Sequence, residues 1–190
     1  MAGILAVVLA VLVGVLVVQR RGDPEPERSG VFVIGDSITV MAGGTKLGPA
    51  GWTVDARAGR TTPEGIRVAA ANDLSHPSVV VVALGTNDYR DSAAAYGRKV
   101  DQMLAAIGQG PDVIWVNVDS HTSVLAPAAQ GVNVALDAAA ARHRNLRIAD
   151  WDAYVATQEQ LPGLRAGDGI HYGTEGSALR RRWMLALVPS

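Results

Sequence analysis

Residues Ser78–Leu84 read S-V-V-V-V-A-L, an unbroken apolar run dominated by β-branched side chains. A strand wetted on one face alternates apolar and polar residues, whereas one that is apolar on both faces has to be covered on both, as parallel strands are. The neighbouring sequence supplies the cover. Val31–Ile34, Trp52–Val54, Asp112–Val118 and Leu146–Ala149 read as further strands. Between them lie helical stretches from Thr62 to about Leu74, from about Asp91 to Ile107, and over Pro127–His143, with a final one over Thr174–Leu187. Thr62 is expected to cap its helix with Pro63 at the first helical position, and Thr174 to cap the last helix with Glu175 in its first turn. Strands alternating with helices imply βαβ units and an α/β domain built on a parallel sheet. The 190 residues suffice for one such domain plus a short appendage.

The appendage is N-terminal. Residues 1–18 are continuously apolar, and as a helix they reach ~27 Å, close to the thickness of a bilayer core. A helix apolar on every side is hard to bury in so small a protein. A cleaved signal peptide would want a basic segment first and a small-x-small cleavage site; no charge precedes the run, and Val17-Val18-Gln19 is a poor site. Residues 1–18 are therefore expected to be a transmembrane anchor or uncleaved signal, and 19–30 a linker whose prolines favour extended backbone. Arg20 and Arg21 place the following domain, 31–190, on the cytoplasmic side by the positive-inside rule.

Composition excludes several classes of function. With no cysteine there is no disulfide, no thiolate nucleophile and no Cys-ligated zinc. A net charge of −1 lacks the basic footprint of a nucleic-acid binder. No Gly-rich phosphate loop follows the first strand, which argues against a nucleotide site.

The chemistry-bearing residues cluster at strand ends and in loops. The first strand runs into Gly35-Asp36-Ser37, and in open α/β sheets ligands bind outside the carboxyl ends of the strands. Ser37 is a candidate nucleophile; the bland alternative is that Asp36 or Ser37 merely caps the next helix. Three further stretches complete a chemical logic: Gly59, between the second strand and its helix; Gly85-Thr86-Asn87-Asp88, directly after the strongest strand; and Asp168-Gly169-Ile170-His171, before the last helix. A serine hydroxyl needs a base, for which His171 is suited, and the base needs a carboxylate to fix its tautomer, for which Asp168 is near enough. A tetrahedral intermediate needs oxyanion donors, which the Ser37 and Gly59 amides and the Asn87 side chain can supply. Singly, each stretch also reads as a turn or cap; the force lies in their order and placement.

In that order, the residues resemble the SGNH hydrolases, the GDSL-type esterases. Gly35-Asp36-Ser37, Gly59, Gly85-x-Asn87-Asp88 and Asp168-x-x-His171 match that family's motifs across about Val31 to Val188, with Ile38 where the nickname has Leu. The resemblance implies a flavodoxin-like three-layer α/β/α sandwich on five parallel strands, preceded here by the transmembrane segment. It implies Ser37, His171 and Asp168 as catalytic residues, Ser37, Gly59 and Asn87 as the oxyanion hole, and Asp36, Gly85 and Asp88 in support, with no metal or cofactor. The expected substrate is a small acyl ester, foremost an acetyl ester on cell-envelope carbohydrate. Tethered enzymes of this family commonly face such glycans, which favours an extracytoplasmic domain against the sense of the arginine pair. An acyltransferase using the same serine and a non-catalytic glycan-binding module are the rivals.

The remaining polar residues are read as structural. Asp119 and His121 follow a strand and are expected in a loop lining the pocket, since two such residues do not make a metal site. His76 precedes Pro77 in a turn, and His143 ends a helix. Arg180-Arg181-Arg182 is expected on a solvated helix face, anionic lipid or polysaccharide being the alternative. Tyr89, Trp151, Tyr154 and Tyr172 lie in or near the motif loops, where packing is expected ahead of stacking on a sugar.

Overall fold

The structure is a computed structural model and describes residues 29–49, 51–122, 124 and 126–188. The expected anchor at 1–18 and nearly all of the linker lie outside these residues. Among the described residues, no helix is long and apolar enough to cross a membrane.

Five strands form one parallel sheet: β1 (Val31–Gly35), β2 (Trp52–Ala56), β3 (Val79–Ala83), β4 (Asp112–Val116) and β5 (Leu146–Ala149), in the order β2-β1-β3-β4-β5. This is the flavodoxin-like order, in which the chain reverses its direction of travel between β1 and β3 and leaves a crevice at that point. The strand side chains part as pleating requires. Phe32, Ile34, Val80, Val82, Val113 and Trp115 pack against α2 (Thr62–Ala71), α3 (Ala93–Ile107) and α4 (Ala126–Ala140). Val31, Val33, Val81, Ala83, Ile114 and Val116 face α1 (Ser37–Met41), α5 (Trp151–Ala156) and α6 (Thr174–Leu185). The double-sided apolar character of the middle strand thus has its expected cause: a helical layer on each face.

Element boundaries depart from the sequence reading where side chains make specific bonds. Thr61, not Thr62, caps α2: its amide and hydroxyl donate to Glu64 at 2.9 and 3.0 Å, and Thr62 turns inward instead. The helix stops at Ala71, short of Leu74, because Asn72 is extended and its side-chain amide donates to the Val68 carbonyl. Ser92 caps α3, accepting from the Ala95 amide, so that helix starts after Asp91. Gly173 rather than Thr174 sits at the cap of α6 and supplies no side-chain bond. The third and fourth strands end at Ala83 and Val116, before Leu84 and Val118, and the residues beyond them bend into the loops above the sheet. Two short helices, α1 and α5, were not expected; at five and six residues they are too brief to show a helical period.

Candidate active site

The turn that carries Ser37 begins where β1 ends, at Gly35. Asp36 is extended (φ −104°), and its carboxylate accepts from the Ile38 amide at 2.9 Å, capping α1. Ser37 is the first helical residue, and its hydroxyl is left free for another partner. The two readings of Gly-Asp-Ser are therefore not rivals: Asp36 is the cap and Ser37 is available. Thr39, one turn on, packs directly against the Cα of Gly35, where any side chain would collide with it.

Ser37, His171 and Asp168 stand in series. Ser37 Oγ is 2.9 Å from His171 Nε2, and His171 Nδ1 is 2.6 Å from Asp168 Oδ2. An ionised carboxylate only accepts, so Nδ1 carries the proton and Nε2 is left to accept from the serine. Asp168 Oδ1 accepts from the Ile170 and His171 amides, both at 2.9 Å. The bond from the His171 ring, with these amides behind it, holds the Asp168 carboxyl well below the usual carboxylate range. The loop that carries the pair is closed by an antiparallel bridge, Arg165 to Tyr172, and by the Ala166 amide donating to the His171 carbonyl at 2.9 Å. Gly169 has φ +70°, which the turn between Asp168 and His171 requires.

A residue the sequence reading missed organises the loops that carry Gly59 and Asn87. Arg60 is 5% exposed; its guanidinium donates to the Gly35 carbonyl at 3.2 Å, and to the Asp55 carbonyl and carboxylate at 2.5 Å each. It ties the loop bearing Gly59 to the last residue of β1. Gly59 has φ +71° and nothing near its Cα face, so its backbone is open to approach. Asn87 Nδ2 donates to the Arg60 carbonyl at 3.0 Å, which joins the loop after β3 to the same assembly. Asp88 points the other way: it is buried, accepts from the Thr62 amide and hydroxyl at 2.9 and 2.7 Å, and pairs with Lys99 at 2.7 Å. It fastens α2 and α3 to the Asn87 loop. Gly85 has φ +132°, and a Cβ there would press on Val118 and the Tyr96 hydroxyl. Arg60 could not be singled out from sequence because its partners are largely main-chain carbonyls.

Asp119 accepts from the Tyr172 hydroxyl at 2.7 Å and from Arg165, which fastens the His171 loop to the end of β4. His121 is on the surface, 3.4 Å from Asp152. Among the described residues, no three potential metal ligands converge. His76 and His143 pair with Asp73 and Asp101. Trp151, Tyr154, Tyr172 and Trp183 pack on one another, so three of the motif-loop aromatics are packing residues, while Tyr89 is exposed. Arg180 departs from expectation: it is 4% exposed, with its guanidinium 4.6 Å from the Trp151 ring centre. The arginine run is thus not a uniformly solvated face, because its first member points inward.

No protein-family model matches the chain, and no curated protein matches its sequence. Solved structures do. The C-terminal catalytic domain of the peptidoglycan O-acetyltransferase A of Streptococcus pneumoniae is 22% identical, with a TM-score of 0.66 over 83% of this chain and 90% of that one. A member of the lipolytic G-D-S-L family from Veillonella parvula is 20% identical, with a TM-score of 0.66 over 84% and 98%. A carbohydrate esterase of family 3 from Talaromyces cellulolyticus is 19% identical, with a TM-score of 0.61 over 82% and 94%. The chain has the fold of the SGNH, or GDSL-type, hydrolases.

Asp36 gives this site a pH signature. Burial pushes its carboxyl up from 3.8 to about 6, against the pull of the Ile38 amide, the Arg180 charge, the Thr86 hydroxyl and the Thr39 amide. A native pKa above the unfolded value means that the native state binds more protons, so this group's contribution to stability falls as pH rises from about 4 to about 6. Asp36→Asn lacks that dependence. The stability of the variant relative to wild type is expected to rise across that window, by on the order of 2–3 kcal/mol, and to level off above it. Denaturant titrations of both proteins from pH 4 to 8 measure this, and a difference that stays flat would place the Asp36 carboxyl at its ordinary value.

Proposed function

We propose that this chain is a serine esterase that hydrolyses small acyl esters, with acetyl groups on cell-envelope carbohydrate as its substrate class. The observation that carries the reading is the hydrogen-bonded series Ser37 Oγ, His171 Nε2, His171 Nδ1, Asp168 Oδ2, with spacings of 2.9 and 2.6 Å. A binding module gains nothing from a serine whose proton has an acceptor waiting. In the proposed reaction, Ser37 Oγ bonds to the ester carbonyl carbon while His171 Nε2 takes its proton. The carbonyl oxygen becomes an oxyanion, received by the Ser37 and Gly59 amides and the Asn87 side chain. The C–O bond to the sugar breaks, and the sugar oxygen takes the proton from His171. Water then gives a proton to His171 and its oxygen to the acyl carbon, and the acid leaves as Ser37 recovers its proton. Asp168 stays ionised throughout and holds the ring.

The name of one structural neighbour, a peptidoglycan O-acetyltransferase, favours a second reading on the same residues. There a sugar hydroxyl replaces water in the second half, and the acyl group is transferred rather than released. Supplying an acceptor sugar and measuring how the acyl group divides between sugar and free acid separates the two.

For residues 1–18 we propose a membrane anchor that holds the domain outside the cytoplasm; their unbroken apolarity supports the span, and the glycan substrate supports the side. Protease added to intact cells is expected to remove the domain; protection until lysis would reverse the orientation, and a mature chain starting near Gly22 would remove the anchor.

Ser37→Ala is expected to fold and to lose all labelling by a fluorophosphonate; labelling at the wild-type level would exclude Ser37 as nucleophile. Asn87→Ala is expected to lower kcat on an acetyl ester by ~10²–10³, the usual cost of one oxyanion donor, with KM little changed. Asn87→Asp is expected to be worse, since it brings negative charge to the developing oxyanion. Steady-state kinetics decide, and values of kcat within about threefold of wild type for both variants would leave Asn87 a turn residue.

A further inference from the structure

A small recess lies beside the turn that carries Ser37 and the loop that carries His171. It measures about 20 Å³ and is lined by Asp36, Thr86, Asp119, Thr122, Tyr172 and Arg180. Ile38 and Ile170, the chain neighbours of Ser37 and His171, belong to the same lining. The lining mixes these polar groups with apolar ones such as Val116 and Trp151, and the space has room for a water molecule. Its lining also has hydrogen bonds left to make. Arg180 Nε and Nη1 and Thr122 Oγ1 are buried and have no partner among the described residues. Arg180 is buried, with its guanidinium carbon 4.6 Å from the Trp151 ring centre and 5.4 Å from that of Trp183. Orphaned donors on a buried charge are rare and point to ordered water or an ion.

The charges in the lining decide which. Arg180 lines this space together with the carboxylates of Asp36 and Asp119 and the Tyr172 hydroxyl. Asp119 is already paired with Arg165, which leaves Asp36 as the counter-charge to Arg180. Two carboxylates repel an anion and one guanidinium repels a cation, whereas water can accept from Arg180 and donate to Asp36 and Thr122.

We propose that ordered water fills this cavity and bridges Arg180 to Asp36, and that Arg180 is thereby a positioning residue for Ser37. Asp36 is the side chain that caps α1, through its 2.9 Å bond from Ile38. A helix of five residues has little else to fix its first residue, so the orientation of the Asp36 carboxylate sets that of Ser37. A bridge from the far side of the cavity holds the carboxylate against rotation. The water bridge stands independently of the esterase reading; the kinetic consequence rests on it.

A high-resolution crystal structure of the whole chain is expected to show water within hydrogen-bond distance of Arg180 and of Asp36; a dry cavity, or an anion in it, would overturn the proposal. Arg180→Met keeps the stem against the tryptophans and removes the charge. It is expected to lower kcat on the order of 10- to 100-fold, the size of a lost hydrogen bond to a charged group, with KM unchanged. Fluorophosphonate labelling of Ser37 is expected to slow in proportion, and Arg180→Lys to restore part of both. A merely structural role would lower the melting temperature and leave the labelling rate of the folded protein unchanged, and that result would sink the idea. If Arg180→Met does not fold, Thr122→Val removes a partner of the same water from the opposite wall. A several-fold fall in kcat is then expected, and an unchanged kcat would count against the bridge. Should wild type itself not label, the esterase reading fails, and the crystallographic water alone decides the bridge.

Discussion

The register of β1 between its two neighbours is the constraint on which the rest depends. Gly35 pairs with Ala56 on one side and with Ala83 on the other, so three strands end at one level. The loops leaving them are delivered to the same edge: Asp36 and Ser37 after β1, Arg57 to Arg60 after β2, Gly85 to Asn87 after β3. A slip of one residue in any pairing would turn that strand's side chains to the wrong helical layer, so burial of the two cores protects the site. The placing of these three loops is a by-product of sheet geometry. The pairings that bury Val33, Val80 and Val81 are the ones that align the loops.

What the sheet does not fix, buried polar groups do. Arg60 and Asp88 are each nearly inaccessible, one engaged with carbonyls at the ends of β1 and β2, the other with α2 and Lys99. Such groups cost more to leave unmet than they return when satisfied. They therefore act less as glue than as a selection rule: the conformation in which Arg60 Nη1 and Nη2 and the Asp88 carboxylate find their partners is the one that brings Gly59 and Asn87 beside β1. The same reasoning makes Asp36 informative. Its burial raises the pKa of its carboxyl, and it keeps its place because it is the acceptor that caps α1.

Much of this was legible in the sequence. The five strands, four of the helices and the parallel sheet follow from apolar runs and their spacing, and the residues of the hydrogen-bonded series follow from the chemistry that serine attack needs. The misses share a cause. Thr62 reads as a cap because threonine before proline usually is one, but a buried carboxylate 26 positions away competes for its hydroxyl. Arg180 reads as solvent-facing because arginine triplets usually are, yet Trp151 and Trp183 lie beneath it in the folded chain. Arg60 gives no signal, since main-chain carbonyls leave no mark in a pattern of side chains. Local sequence reports propensity, and these residues are governed by partners far along the chain.

The longest reach in the site is from Ser37 to His171, 134 residues apart. Nothing in the sheet carries that distance, because His171 lies on a hairpin beyond the last strand. Its position is inherited through Tyr172. The Tyr172 hydroxyl donates to Asp119 at 2.7 Å and accepts from Trp151 Nε1 at 2.5 Å, and its ring meets that of Trp151 edge-on at 5.4 Å. Asp119 follows β4 and Trp151 opens α5 after β5, so the histidine is hung from the two strands farthest from β2. Ser37 is set by one half of the sheet and His171 by the other. Val155, Leu164, Leu179 and Met184 pack in the same core as Trp151 and Tyr172, and with that core in place Ser37 Oγ and His171 Nε2 come to 2.9 Å.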